Sequence, residues 1–383
     1  MRRAIIHIGL PRTGTTSFQR VLSHLRPALA HAGILYPDLT PRSATVPHLS
    51  HQYFGEALDG RRKRPEIAEL LASLAAQVAA AQPDTLILSY ESLCLVRPLL
   101  GVPALLRRFL TQLGFAMEVL VTVKPPGEYL NSHYTWRTQF LLEPRPFAGF
   151  VRANLGMRRL DLPGVLAQWR PACDDRIRAV STRDRRSHEP MVERIFAELG
   201  LLPRVAVLLD ADIVAVADNR SPGPVAVEVA RRLRRSGAHV SLGRQARTAT
   251  FFTEEQARLR GVNLVSFRGL DAGLRAQVDE RWDRANQAFA QMVWGQPWEA
   301  RVVAEPERPV NEIARLGSDA GLEDAVSEIV AAACAKFDIP AGRSAVIAIR
   351  SAAAGLGAEL GRAVNYGRAL AGAIGRPIVA GKR

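Results

Sequence analysis

Apolar residues in the first part of the chain come in short, partly β-branched runs, separated by longer stretches in which apolar positions recur at helical spacing. Ala4–Leu10 (AIIHIGL), Ile34–Tyr36, Thr85–Leu88 (TLIL) and Val119–Val123 have the pattern of parallel strands buried on both faces. Between them the spacing predicts a helix over 17–32, kinked or broken at Pro27 and ended by Gly33. Further helices are predicted over 65–81, over 98–113 with Gly114 as the stop, and over 127–142. Strand and helix keep alternating, which predicts an α/β fold with a mostly parallel central sheet between helices.

Beyond residue 145 the pattern weakens. Helices are expected over 165–170, 188–199, 225–235 and 274–293, with a strand over 176–181. Pro306-Glu307-Arg308-Pro309 reads as a linker, so residues 1–300 are assigned to one α/β domain and 305–383 to an Ala/Gly-rich, helical C-terminal extension. No run of about 18 apolar residues predicts a membrane-spanning helix. Met1-Arg2-Arg3 followed by Ala4–Leu10 imitates the start of a signal peptide, but Pro11-Arg12 cuts the apolar run short, and it is read as a strand.

Charge and cysteine usage narrow the chemistry. The formal net charge is +14, which favours anionic ligands through the field it creates, although only four of the 51 basic residues are lysines. Cys94, Cys173 and Cys334 lie far apart, with neither a disulfide framework nor zinc-type spacing. A reducing, cytoplasmic setting and the absence of a bound metal are the matching expectations.

The sharpest motif follows the first strand. Gly9 and Gly14 have the G-x-x-x-x-G spacing of a phosphate-binding loop, and Thr16 holds its Ser/Thr position. Such a loop curls the backbone so that N–H groups converge on a phosphate at a helix N-terminus. Thr15, however, stands where an ATP-binding loop carries lysine, and the nearest loop cation is Arg12. An ordinary glycine turn before a helix is the plain alternative.

Pro11-Arg12-Thr13-Gly14-Thr15-Thr16-Ser17-Phe18-Gln19 resembles the 5′-phosphosulfate loop of sulfotransferases that use 3′-phosphoadenosine 5′-phosphosulfate (PAPS). A second segment is similar to that family's 3′-phosphate site: Lys124 after a strand, Pro126 two residues on and Ser132 eight residues on. Lys124 stands where the family has arginine, and Pro125 where it has Asn or Asp, so the fork of an arginine is replaced by a point charge. Asn219-Arg220-Ser221 is similar to a late segment that folds over the nucleotide in bacterial members. The resemblance implies a three-layer, P-loop-like fold. It implies a PAPS site built from Arg12, Thr13, Gly14, Thr15, Thr16, Ser17, Lys124, Ser132 and Arg220. It also implies metal-independent, in-line sulfuryl transfer in which Arg12 stabilises the leaving phosphate.

The general base and the acceptor are less constrained. His48 and His51 follow Gly33-Ile34-Leu35-Tyr36-Pro37, as histidines do in related bacterial enzymes, and are the expected bases, with His51 preferred. Glu91, just past the third strand, is the alternative base, or a helix cap. Trp136 and Arg137 either line an acceptor pocket or simply pack. The cluster Arg61-Arg62-Lys63-Arg64 is either a solvated basic turn or an attractor for an anionic acceptor such as a carbohydrate or lipid headgroup. Two other readings stay open. One is a nucleotide kinase or NTPase with a degenerate loop. The other is a non-catalytic basic module for nucleic acid or a membrane surface, with 345–374 lying on the membrane. No recognised nucleic-acid motif supports that last class, and oligomeric state is left open.

Overall fold

The computed structural model describes residues 2–62, 64–209, 221–262, 265–313 and 320–339. Five strands, β1 (Arg2–His7), β2 (Ile34–Leu35), β3 (Thr85–Ser89), β4 (Phe115–Val123) and β5 (Ile177–Ser181), form one sheet in the order β2-β3-β1-β4-β5. Every neighbouring pair is parallel. Parallel neighbours require crossover connections, which the intervening helices supply.

The packing elements are α1 (Thr15–His24), α2 (Arg64–Ala81), α3 (Val102–Gln112), α4 (Pro126–Gln139), α5 (Met191–Glu198), α6 (Pro224–Arg235), α7 (Ala246–Leu259), α8 (Ala272–Trp294) and α9 (Ala320–Lys336). Because strand side chains alternate between faces, the sheet feeds two cores. Ala4, Ile6, Leu86, Leu88, Val119 and Val121 join the core with α2, α3, α4 and α8. Ile5, Ile87, Leu120 and Val180 join the other, with Phe18, Val21 and Leu22 of α1 and Ile195 and Phe196 of α5. The result is a three-layer α/β arrangement, with β1 at its centre and its C-terminal end delivering the loop to α1.

Where element bounds differ from expectation, the backbone explains why. The predicted helix over 17–32 begins at Thr15 and is split: α1 ends at His24, and a short helix, Arg26–His31, restarts with Pro27 in its first turn, where a missing N–H is harmless. The helix predicted from residue 98 becomes a single 3₁₀ turn, Pro98–Leu100, before left-handed Gly101 (φ 57°) opens α3. The long run expected to 142 stops at Gln139, whose carbonyl accepts a 2.6 Å hydrogen bond from Thr250 Oγ1. The sequence pattern missed α7. Its buried face is Ala246, Ala249, Thr250, Thr253 and Ala257, small and partly polar residues that carry little hydrophobic periodicity.

The C-terminal helix α9 docks on α6 and α7. Val326, Ile329 and Ala333 pack with Val225, Val229, Leu233 and Ala249 in a third core cluster. Residues just past the predicted linker are also tied to the α/β body: Asn311 Oδ1 accepts from Arg268 N at 2.7 Å, and Glu312 Oε1 from Phe147 N at 2.8 Å. Residues 340–383, including the stretch considered for membrane contact, lie outside the described residues. No helix among the described residues is long and apolar enough to cross a membrane.

Candidate functional site: a cationic cleft at the end of the sheet

The loop after β1 turns through two left-handed residues, Arg12 (φ 73°) and Gly14 (φ 79°), and α1 starts at Thr15. Gly14 bears this conformation without the steric cost an L side chain incurs, and a Cβ there would meet nothing within 4 Å among the described residues. Its backbone is therefore open to an approaching ligand at the positive end of α1.

Beneath the loop runs a buried polar chain. Gln19 Nε2 donates to Ser89 Oγ at 3.0 Å, and Ser89 Oγ lies 2.7 Å from His7 Nδ1. His7 Nε2 faces Thr122 Oγ1 at 3.5 Å, which meets Thr13 Oγ1 at 2.7 Å; Thr13 Oγ1 donates to the Leu10 carbonyl at 2.6 Å. One direction of donation, from Gln19 through Ser89, His7, Thr122 and Thr13 to Leu10, satisfies every member. It requires a neutral His7, in keeping with a pKa pushed down to about 3 by burial. Thr13 is thus an anchor of the loop, its hydroxyl held below the cleft.

Cationic and polar groups from two sequence-distant segments meet above this floor. Arg12 Nε donates to Ser132 Oγ on α4 at 3.4 Å, and Lys124, leaving β4, lines the same cleft. Neither Arg12 nor Lys124 has a carboxylate within ion-pair distance among the described residues. Burial lowers both pKa values; Arg247 adds to the effect at Arg12, whereas Glu128 opposes it at Lys124.

The cleft has a volume of about 710 Å³, and its walls carry Arg12, Arg61, Lys124, Arg137, Arg159 and Arg247 against the carboxylates Glu56 and Glu91. Gly14, Thr15, Thr16, Ser17, Ser132 and Ser221 also line it. Such an excess of positive charge around a recess focuses an anion-attracting field. Arg61, from the basic cluster, donates to Tyr90 Oη at 2.7 Å, whereas Arg62 turns to Glu56 and Glu66; Lys63 is outside the described residues. Trp136 and Arg137 line the cleft, and His133 stacks between Tyr129 and Trp136. Arg159 and Arg247 were not foreseen. Both stand in an arginine-rich sequence, Arg159 directly after Arg158, and no spacing distinguishes them.

The two histidines expected as bases lie elsewhere. His51 is 2% exposed, its Nδ1 accepts from Ser89 N at 2.9 Å, and its Nε2 donates to the Pro37 carbonyl at 2.8 Å. Both ring nitrogens are committed to holding the 37–51 segment on β3, and burial lowers its pKa to about 4. His48 is exposed, bonds its own neighbour Ser50 at 2.9 Å, and is not among the residues lining the cleft. Glu91 is in the cleft instead. It accepts a hydrogen bond from Thr15 Oγ1, and burial holds its carboxyl above the usual range, with Thr15 and Arg12 opposing. Thr15, in the position of the missing lysine, therefore joins a carboxylate to the start of α1. Asn219 and Arg220 fall outside the described residues.

No family model, curated protein or solved structure matches the chain.

Proposed function

We propose that the cleft is the active site of a PAPS-dependent sulfotransferase. The observation that carries the reading is the meeting of Arg12 with Ser132, beside Lys124: two separate sequence segments, each resembling one phosphate-binding element of that family, converge in one cationic cleft. The strand order β2-β3-β1-β4-β5, with the anion loop after the central strand, supports a P-loop-like type of the α/β fold. The open backbone at Gly14 and two cations without carboxylate partners among the described residues fit a ligand carrying 5′- and 3′-phosphate groups.

In this reading PAPS supplies the sulfuryl group, and the protein contributes position and charge. The Gly14 turn and the α1 N-terminus hold the 5′-phosphate. Lys124 and Ser132 hold the 3′-phosphate. Glu91 takes the proton of an acceptor hydroxyl or amine as the new bond to sulfur forms. Arg12 offsets the negative charge left on the departing phosphate oxygen when the old sulfur–oxygen bond breaks. Glu91 replaces the histidines as base because it alone of the three lines the cleft. Its raised pKa brings it closer to neutrality, where a base is most effective. The cationic wall beyond the donor groups makes a carbohydrate or lipid acceptor with anionic groups the first class to screen.

The test is binding of adenosine 3′,5′-bisphosphate, compared with ADP and Mg-ATP, by thermal shift. A ligand that binds only the folded protein adds about 2.7 kcal/mol at a hundred times its Kd. A shift with the 3′,5′-bisphosphate alone is expected. A shift with Mg-ATP alone would move the protein to the nucleotide kinases, and no shift with any of the three would remove the nucleotide from the cleft.

A further inference from the structure

A second cavity, of about 430 Å³, lies behind the Lys124 segment, walled by the first turn of α4, one face of α8 and the 298–307 stretch. In a chain of net charge +14 its lining is acidic. Asp279 and Asp283 stand one turn apart on α8, Glu128 enters from α4, and Glu299, Glu305 and Glu307 come from that 298–307 strap; Arg185 and Arg275 are the lining cations. Glu128 is paired with Arg183, and Glu305 lies 3.5 Å from Arg275. Asp279 and Glu307 make no hydrogen bond or ion pair among the described residues.

An independent feature shows what is missing. Asn286, on the same face of α8, lines the cavity at 6% exposure, and its Oδ1 is shielded from solvent with no hydrogen-bond partner. A buried amide oxygen left open costs on the order of 1–3 kcal/mol, which an N–H donor from a ligand recovers. The carboxylates are spread out: among the described residues no three metal-ligating side chains are grouped closely enough to hold one ion. A point cation would satisfy few of them. Trp298, Val302 and Pro125 add apolar wall between the charges, suited to methylene groups. Partial burial raises the pKa values of Asp279 and Glu305; Arg275 opposes the rise at both, while Asp283 adds to it at Asp279 and Glu128 at Glu305.

We propose that this cavity is a binding site for an extended organic cation of the polyamine type, whose ammonium groups reach the separate carboxylates and donate to Asn286 Oδ1. The site is independent of the sulfotransferase reading and stands or falls on its own experiment.

The experiment is titration of the full chain with spermidine, putrescine and Mg²⁺ at matched ionic strength, followed by calorimetry and by thermal shift. Saturable spermidine binding is expected, tighter than putrescine, with no Mg²⁺ effect beyond that of ionic strength. Asp279→Asn with Asp283→Asn, both exposed positions, should weaken spermidine at least tenfold while leaving the unliganded melting temperature near that of the wild type. Asn286→Ala should weaken it as well, and Glu255→Gln, on the exposed face of α7, should leave it unchanged. Absence of saturable spermidine binding, an equal response to Mg²⁺, or full affinity in the Asp279/Asp283 double variant would overturn the proposal.

Discussion

Single side chains here are sorted by what burial does to their charge. His7 and His51 are held neutral inside hydrogen-bond networks, whereas Glu91, Arg12 and Lys124 reach a common recess. Replacing Glu91 by Gln should abolish transfer yet preserve binding of adenosine 3′,5′-bisphosphate; unchanged turnover would remove it as base. Because its pKa is raised, kcat/KM should climb with pH through a value above that of an ordinary glutamate. Arg12→Ala should cost roughly 3–4 kcal/mol in the transfer step, as loss of a transition-state charge donor does elsewhere. Single-turnover rates check this, and near-normal turnover would contradict the role. His51 makes a stability prediction instead. Its pKa is about 6.5 when unfolded and about 4 when folded, so below pH 6.5 the unfolded chain takes up the proton first. Stability therefore falls as pH drops from about 6.5 toward 4, by about 3 kcal/mol from this residue. Urea unfolding at pH 7.5 and 4.5 should show a shallower fall in His51→Asn than in the wild type, and equal slopes would place the titration elsewhere.

At the scale of elements, the strand–loop–helix of residues 2–24 does the most. Its strand, its loop glycines and its helix are all legible in sequence, since apolar run, G-x-x-x-x-G spacing and helical periodicity are local signals. The two loop glycines serve different ends, and substitution separates them. At Gly14 alanine meets no atom of the described residues but must adopt left-handed backbone, at a cost of about 1–2 kcal/mol. At Gly9 a Cβ would sit 2.5 Å from His7 Nε2 and 2.8 Å from Thr122 Oγ1, against the buried chain that anchors Thr13. Gly9→Ala should therefore lower the melting temperature more than Gly14→Ala; the reverse order would show that the floor of the loop yields easily. The segment carrying His48 and His51 illustrates the opposite limit. Its histidines fit a sequence pattern, but which way a side chain points from an irregular stretch depends on the strand it lies against, and β3 claims His51.

On the scale of the whole molecule, one core cluster packs α8 against the sheet, and a third cluster joins α9 to α6 and α7. Helix α9 closes the third cluster, so Ile329→Ala, at a fully buried position, should destabilise the protein by about 2–4 kcal/mol. Denaturant midpoints measure this, and a loss below 1 kcal/mol would mean that α9 contributes little to the fold. The α/β class, most strands and helices of residues 2–139, the G-x-x-x-x-G spacing and the Lys124–Ser132 spacing were determined by sequence alone, because each depends on residues within a few turns of one another. Tertiary structure decided the rest. Arg159 and Arg247 joined Arg12 in one cleft, Glu91 entered it while His48 and His51 stayed out, and acidic residues from α4, α8 and the 298–307 strap came to line one cavity with Asn286. These are contacts between segments far apart in the chain, set by which faces the sheet and its helices bury together, and no local pattern of residues encodes them.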